Sequence, residues 1–299
     1  MTTQSLPNSS KRLWLAAIKP PMYSVAVLPI WVGSAVAWAE TQRFHPWIFA
    51  TFLAAAILIV AWSNVSNDVY DADTGIDQHK AHSLVNLTGN KPLIFWIGNG
   101  LLFLGILGIL AISWEQHDPT VIGLILLCCA LGYSYQGPPF RFGYQGWGEL
   151  ICFICYGPLA LSAVYYSQVQ SWSLTNLAAA VIVGLTTSLI LFCSHFHQVA
   201  DDLAAGKRSP IVRLGTARGA ALLPWVCGSL YGLTLLFVLL GSFPLWTLLV
   251  FLSLPFAVQL VRHVQTYHDQ PDQVSNCKFI AVALHFCSGM LLGLGFVLG

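Results

Sequence analysis

The sequence predicts an all-α, polytopic membrane protein: nine transmembrane helices in a bundle around a central cavity. Three observations predict it. Only 8% of the 299 residues are charged and 56% are hydrophobic, where a soluble domain carries about 25% charge. The mean hydropathy is +0.69. Apolar runs of the roughly 20 residues needed to cross a bilayer recur along the whole chain. A net charge of +1 excludes a bulk electrostatic case for nucleic acid, and eleven Trp suit anchoring at membrane interfaces.

The elements follow in order. Residues 1–22 form a cytoplasmic N-terminal segment lacking the apolar h-region and cleavage site of a signal peptide, so the first span itself directs insertion. The domain over 23–298 then holds spans at about 23–39, 46–66, 93–113, 119–137, 149–169, 175–197, 219–240, 243–262 and 278–298. The second ends in the acid-rich "NVSNDVYDADTGID" of 64–77. Only the short "SWEQHDPT" separates the third from the fourth. The fifth and eighth contain Pro158 and Pro255, which membrane helices tolerate. The sixth runs into "HFHQVADD", and the seventh and eighth are joined by "GSFP".

Nine spans place twelve of the thirteen Lys and Arg on one side (Lys11, Arg12, Lys19, Lys80, Lys91, Arg141, Lys207, Arg208, Arg213, Arg218, Arg262 and Lys278) and only Arg43 on the other. That bias puts the N-terminus and the polar segments 64–92, 133–149 and 194–218 in the cytoplasm. The eight Cys form no extracellular framework. The Cys152-x-x-Cys155 spacing in an apolar run reads as helix packing.

Three segments carry chemistry. In the first, Asn64 and Asp68 are four apart, as are Asn67 and Asp71, so all four share a broad helical face. Clustered carboxylates near lipid are costly unless a cation lies between them. Oxygen-only donors select a hard ion such as Mg²⁺ or Ca²⁺, and Mg²⁺ keeps positions for substrate phosphate. The bland alternative is a solvated loop ending a helix. The second segment, "HFHQVADDLAAGKRSPIVRLG", sets Asp201 and Asp202 beside Lys207 and Arg208. The carboxylates suit a second ion and the basic groups suit phosphate oxygens, while positive-inside anchoring is the plain reading of the bases. His195 and His197 diverge on a helix, which argues against a transition metal. A faint repeat aligns Asn67, Asp68 and Asp71 with His197, Gln198 and Asp201. In the third, "YSYQGPPFRFGYQGWGEL", Gly137-Pro138-Pro139 breaks the helix. Arg141 then lies among Tyr133, Tyr144 and other aromatics, whose faces stabilise a carbocation or form an interfacial belt. Glu149 opens the fifth span. Together the segments point to an isoprenoid diphosphate ionised in a water-poor cavity.

These residues resemble the intramembrane, UbiA-type prenyltransferases, a nine-helix family with two aspartate-rich motifs, over roughly residues 19–298. Asn67-Asp68-x-x-Asp71-x-x-x-Gly75-x-Asp77, "LVNLTGNK" at 84–91, "YQGWGE" at 144–149 and "GKRSPIVRLGT" at 206–216 are similar to the branch acting on 1,4-dihydroxy-2-naphthoate. The resemblance implies Mg²⁺-dependent transfer of a polyprenyl or phytyl group from its diphosphate to that ring. It also implies loss of the carboxylate as CO₂, toward menaquinone or phylloquinone, in a plasma or thylakoid membrane.

The roles it implies are Asn67, Asp68 and Asp71 on a first Mg²⁺ with Asn64 and Asp77 in support, and Asp201 and Asp202 on a second. Lys91, Arg141, Lys207 and Arg208 would contact the diphosphate, and Tyr133 and Tyr144 would line the cation pocket. The second motif departs from the family in having Gln198 where an aspartate is usual, a variant that resembles the phytyl-transferring branch. Alternatives are another acceptor (homogentisate, 4-hydroxybenzoate or a chlorophyllide), a CDP-alcohol phosphotransferase, whose D-G-x-x-A-R-type signature is not visible, and a cation-coupled transporter. A transporter would place charge in mid-span rather than at span ends.

Overall fold

The computed structural model describes residues 13–76, 80 and 82–299. Eight helical segments among them are long and apolar enough to span a membrane: α1 Leu13–Thr41, α2 Pro46–Thr74, α3 Lys91–Gln116, α5 Gly148–Val169, α6 Leu174–His197, α7 Thr216–Leu239, α8 Leu245–Tyr267 and α9 Pro271–Leu298. The shorter apolar α4, Thr120–Gln136, occupies the fourth expected position. The protein is an all-helical, multi-span membrane protein.

Two boundaries differ from the sequence expectation. The chain is already helical at Leu13, the first described residue, rather than only from near residue 23, and that helix is broken where Lys19 takes a left-handed conformation (φ 52°) before a 3₁₀ turn over Pro20–Tyr23. The proline cannot continue an α-helical ladder, so the chain re-enters the bundle there. α2 also runs past 66 to Thr74, stopped by Gly75 at φ 75°, a left-handed cap that glycine supplies without a Cβ clash. The acid-rich stretch through Thr74 is therefore the last turns of a helix rather than a loop.

α1, α6 and α9 are the most enclosed segments, while α3, α7 and α8 present most of their surface outward. In a bilayer, helix association depends on close packing rather than on hydrophobic exclusion from lipid. Gly289 and Gly293 of α9 meet the Leu28 and Trp31 side chains of α1, with no room for a Cβ at either position. Trp31 Nε1 donates to the Met290 carbonyl at 3.2 Å. Pro158 sits in a widened π-helical turn, Cys155–Leu159, which accommodates its missing N–H. One large core cluster joins α1, α6, α7, α8 and α9. A second packs α1 through α5.

Candidate active site

The first acidic segment forms the end of α2. Asp68 is fully buried. Its Oδ1 lies 3.4 Å from Lys19 Nζ and 3.2 Å from Lys80 Nζ, and its Oδ2 accepts the Leu84 N–H at 2.9 Å. That N–H opens a short helix, Leu84–Thr88, one of the free donors at a helix start. Asp71 Oδ1 accepts from Gln136 Nε2 at 2.8 Å and from the Tyr144 hydroxyl at 3.1 Å, and that hydroxyl also meets Thr74 Oγ1 at 2.6 Å. Asn64 and Asn67, on the same helical face, line a cavity. The Asn64 Nδ2 is enclosed without a hydrogen-bond partner in the protein. Asp73 is exposed and pairs with Lys91, which places Lys91 at the rim. Asp77 lies outside the described residues.

The second segment is organised differently. α6 tightens into a 3₁₀ turn at His195–His197 before a short helix, Val199–Ala204. His195 is buried between two carboxylates: Nδ1 is 3.2 Å from Asp202 Oδ2 and Nε2 is 3.4 Å from Glu149 Oε1. Lys207 Nζ lies 3.3 Å from Asp202 Oδ1, and the Lys207 N–H donates to the Asp202 carbonyl at 2.7 Å. Burial pushes the Asp202 carboxyl up, but the His195 hydrogen bond and the Lys207 charge outweigh it and hold it below its ordinary value. The adjacent Asp201 is exposed. The two aspartates expected to serve one ion diverge: successive helical residues point about 100° apart, and Asp202 is buried while Asp201 is exposed.

The turn between α4 and α5 joins the two segments. Tyr144 bonds Asp71 through its hydroxyl and carries Lys207 Nζ 5.9 Å from its ring centroid. Its carbonyl accepts the Arg208 N–H at 2.8 Å. Burial, and then the Asp71 charge, push the Tyr144 hydroxyl well above its usual pKa. Arg213 donates to the Arg208 and Gln145 carbonyls, while the Arg208 side chain is exposed. Arg141 takes a left-handed backbone (φ 44°) and its Nε is enclosed without a partner. Asp71, Tyr144, Lys207 and Asp202 thus form one continuous string, and the two acidic segments share one end of the bundle.

Tyr133 is set apart from the cavity. Its hydroxyl donates to the Pro138 carbonyl at 2.7 Å and its ring meets Tyr70 edge-on, whereas Tyr135, two residues on, lines the cavity. With the helix axis set by packing, the two rings diverge, and adjacency in an aromatic run did not reveal which faced inward. Lys19, Lys80 and Gln136, partners of the two α2 aspartates, also escaped sequence reasoning. Lys19 and Lys80 counted there only as anchoring charge.

Below this polar end lies a cavity of ≈ 290 Å³ walled by α1, α2, α4, α5 and α6. Asn64, Asn67, Tyr135 and Ser194 are at its polar end, and Cys128, Cys129, Cys152 and Cys155 are on its wall. All eight cysteines are free thiols. Among the described residues no group of three His, Cys, Asp or Glu is placed to hold a metal. The donor set Asn67, Asp68 and Asp71 instead fits Mg²⁺, which binds through one or two carboxylates and takes its remaining oxygens from water and phosphate. The second segment places the Asp202 carboxylate beside His195 and Lys207, with the Glu149 carboxylate on the other side of His195.

A bilayer-spanning bundle with an apolar cavity capped by paired acids and bases defines an intramembrane enzyme site for an amphiphile with an anionic head. Residues 26–288 match the UbiA prenyltransferase family, and the chain belongs to that family and is a prenyltransferase. It is 60% identical, over 98% of its length and 95% of the relative's, to a 2-carboxy-1,4-naphthoquinone phytyltransferase from Synechocystis sp.. It is 42% identical, over 99% of its length and 79% of the relative's, to the chloroplastic phytyltransferase of the same description from Arabidopsis thaliana. A solved UbiA homologue from Archaeoglobus fulgidus bound to GPP and Mg²⁺ shares the fold, with a TM-score of 0.57 over 94% of this chain and 99% of that one, at 17% identity.

Proposed function

We propose that the enzyme transfers a phytyl group from its diphosphate to 1,4-dihydroxy-2-naphthoate with loss of the ring carboxylate, toward phylloquinone or menaquinone, and that its polar end faces the cytoplasm. The observation that carries this reading is the junction itself. An apolar cavity ends at Asn64 and Asn67, on the same helix end that joins the Asp71–Tyr144–Lys207–Asp202 string. Similarity to the naphthoquinone-carboxylate phytyltransferases supports the donor and acceptor.

In this reading Asn67, Asp68 and Asp71 hold Mg²⁺ with Asn64 in support. The ion supplies charge neutralisation to the departing diphosphate. Lys207 and Arg141 face the diphosphate oxygens, with Lys91 and Arg208 contributing from the rim. The carbon–oxygen bond of the donor breaks and its electron pair leaves with the diphosphate. The allylic cation is sheltered from water by the apolar wall, against the ring of Tyr135. The electron-rich ring carbon bearing the carboxylate attacks it. The carbon–carboxylate bond then breaks, its electron pair restores aromaticity, and CO₂ departs. Tyr144 keeps Asp71 oriented throughout.

Membranes containing the enzyme, supplied with phytyl diphosphate and carboxyl-labelled dihydroxynaphthoate, are expected to release labelled CO₂ in step with prenylated product, and only with Mg²⁺ present. Prenylation of homogentisate or 4-hydroxybenzoate in preference to the naphthoate would refute the acceptor assignment.

A further inference from the structure

The cavity ends at a floor, and we infer that this floor measures the donor's chain and selects a twenty-carbon prenyl group over longer ones. The inference rests on the prenyl-transfer reading and deepens it.

On four helices the last lining residue away from the polar end is Ile30 on α1, Phe52 on α2, Ile125 on α4 and Ala160 on α5; on α6 it is Thr187, nearer the polar end, where the next residue, Ser188, bonds the Glu149 carbonyl at the start of α5. α1, α2, α4 and α5 each continue past these residues, so side chains, not the end of the bundle, bound the cavity there. Ile30, Phe52 and Ile125 belong to the packed cluster that also holds Ile109, Ile112 and Val121, each at 0% exposure. Beside it, α1 and α5 are in close contact, with a Cβ at Gly33 only 3.0 Å from Val164 Cβ. An aromatic ring at 2% exposure within a core of interior density is a stop: admitting one more isoprene unit requires displacing several packed side chains at once.

The depth fits one donor length. On α2 about 22 Å of helix separates Phe52 from Asn67, and on α5 about 18 Å separates Ala160 from Gly148, at 1.5 Å per residue. The sixteen-carbon backbone of a twenty-carbon prenyl chain is about 20 Å long when extended, at ~1.25 Å per bond for tetrahedral carbon. A forty-carbon chain is about twice that and exceeds the ~30 Å hydrocarbon thickness of the bilayer itself. A ring at position 52 therefore meets the tail of a twenty-carbon donor whose diphosphate is at the α2 aspartates. Ala56, one helical turn nearer the polar end on the same face, also lines the cavity, and a larger side chain there raises the floor by about 5 Å.

The test uses the full-length enzyme in native membranes and all-trans allylic diphosphates of fifteen, twenty, twenty-five and forty carbons, so that length alone varies. Wild type is expected to favour the twenty-carbon donor over the forty-carbon donor by about tenfold or more in kcat/KM, the scale on which added methylenes are rejected by a filled apolar pocket. Phe52→Ala, which removes one ring, is expected to shift the twenty-five-to-twenty ratio upward by about tenfold. Ala56→Phe is expected to shift the fifteen-to-twenty ratio upward by a similar ~10-fold factor. The second variant enlarges a side chain and decides the question if the first fails to fold. Wild type using forty-carbon and twenty-carbon donors equally, or ratios unmoved in the folded variants, overturns the floor as a ruler while leaving prenyl transfer intact. No transfer from any donor by wild type overturns the prenyl-transfer reading, and the ruler with it.

Discussion

The two acidic segments face the same end of the bundle but are built on opposite plans. At the end of α2 the amides face the cavity: Asn64 and Asn67 line it, while Asp68 and Asp71 are buried behind them and held by partners from other parts of the chain. After α6 the polar groups are closed on one another, with Asp202 enclosed by His195 and Lys207 and with Glu149 behind. The difference teaches that similar composition does not imply similar work. An open set of oxygens can exchange partners for an ion and a substrate. A closed string of buried charges holds geometry, because breaking it strands a charge away from water.

The sharpest way to break this comparison is to remove the carboxylates of α2. Asp68→Ala or Asp71→Ala is expected to lower prenyl transfer by about 10³-fold with normal membrane insertion. Substantial activity in either variant would contradict their assignment. A smaller effect of a different kind is expected from the closed string. Asp202→Asn leaves Lys207, only 6% exposed, without its carboxylate, and is expected to cost about 3 kcal/mol of stability, measured by thermal unfolding in detergent. Asp201→Asn, at an exposed neighbour, is expected to stay within about 0.5 kcal/mol.

The Asp202 contribution carries a pH signature. Its carboxyl is held below the ordinary value in the folded protein. The stabilisation is therefore present above the ordinary carboxylate pKa and is lost as pH falls through the depressed folded value. Wild type and Asp202→Asn should converge in stability in acid and separate toward neutrality. A gap that does not narrow in acid would show that the string is not electrostatic. A modest effect tests the bridge between the two segments. Tyr144→Phe removes one hydrogen bond to Asp71 and is expected to cost about 1 kcal/mol, read as a roughly fivefold loss in kcat/KM.

Legibility tracked periodicity. Asn64, Asn67, Asp68 and Asp71 recur at helical spacing, so their shared face followed from the sequence once α2 was taken to continue. No break intervenes before Gly75. The second segment lacked such a rule: the 3₁₀ turn at His195–His197 resets the helical phase, and no spacing told which of Asp201 and Asp202 would turn inward. Tyr133 and Tyr135 posed the same problem beside the Gly137-Pro138-Pro139 turn. Lys19 and Lys80 reach Asp68 from 49 and 12 residues away in the chain, and nothing local marks such a pairing.

The sequence by itself determined what the solvent enforces. Apolar runs long enough to cross a bilayer must become helices, because backbone groups in lipid have no other partners, and charges must collect at helix ends, because mid-span charge is costly. Tertiary structure decided which of those charges meet and how deep the cavity runs. Both depend on the rotation of each helix about its axis and on side chains packed from five separate segments. No single stretch of sequence contains that information.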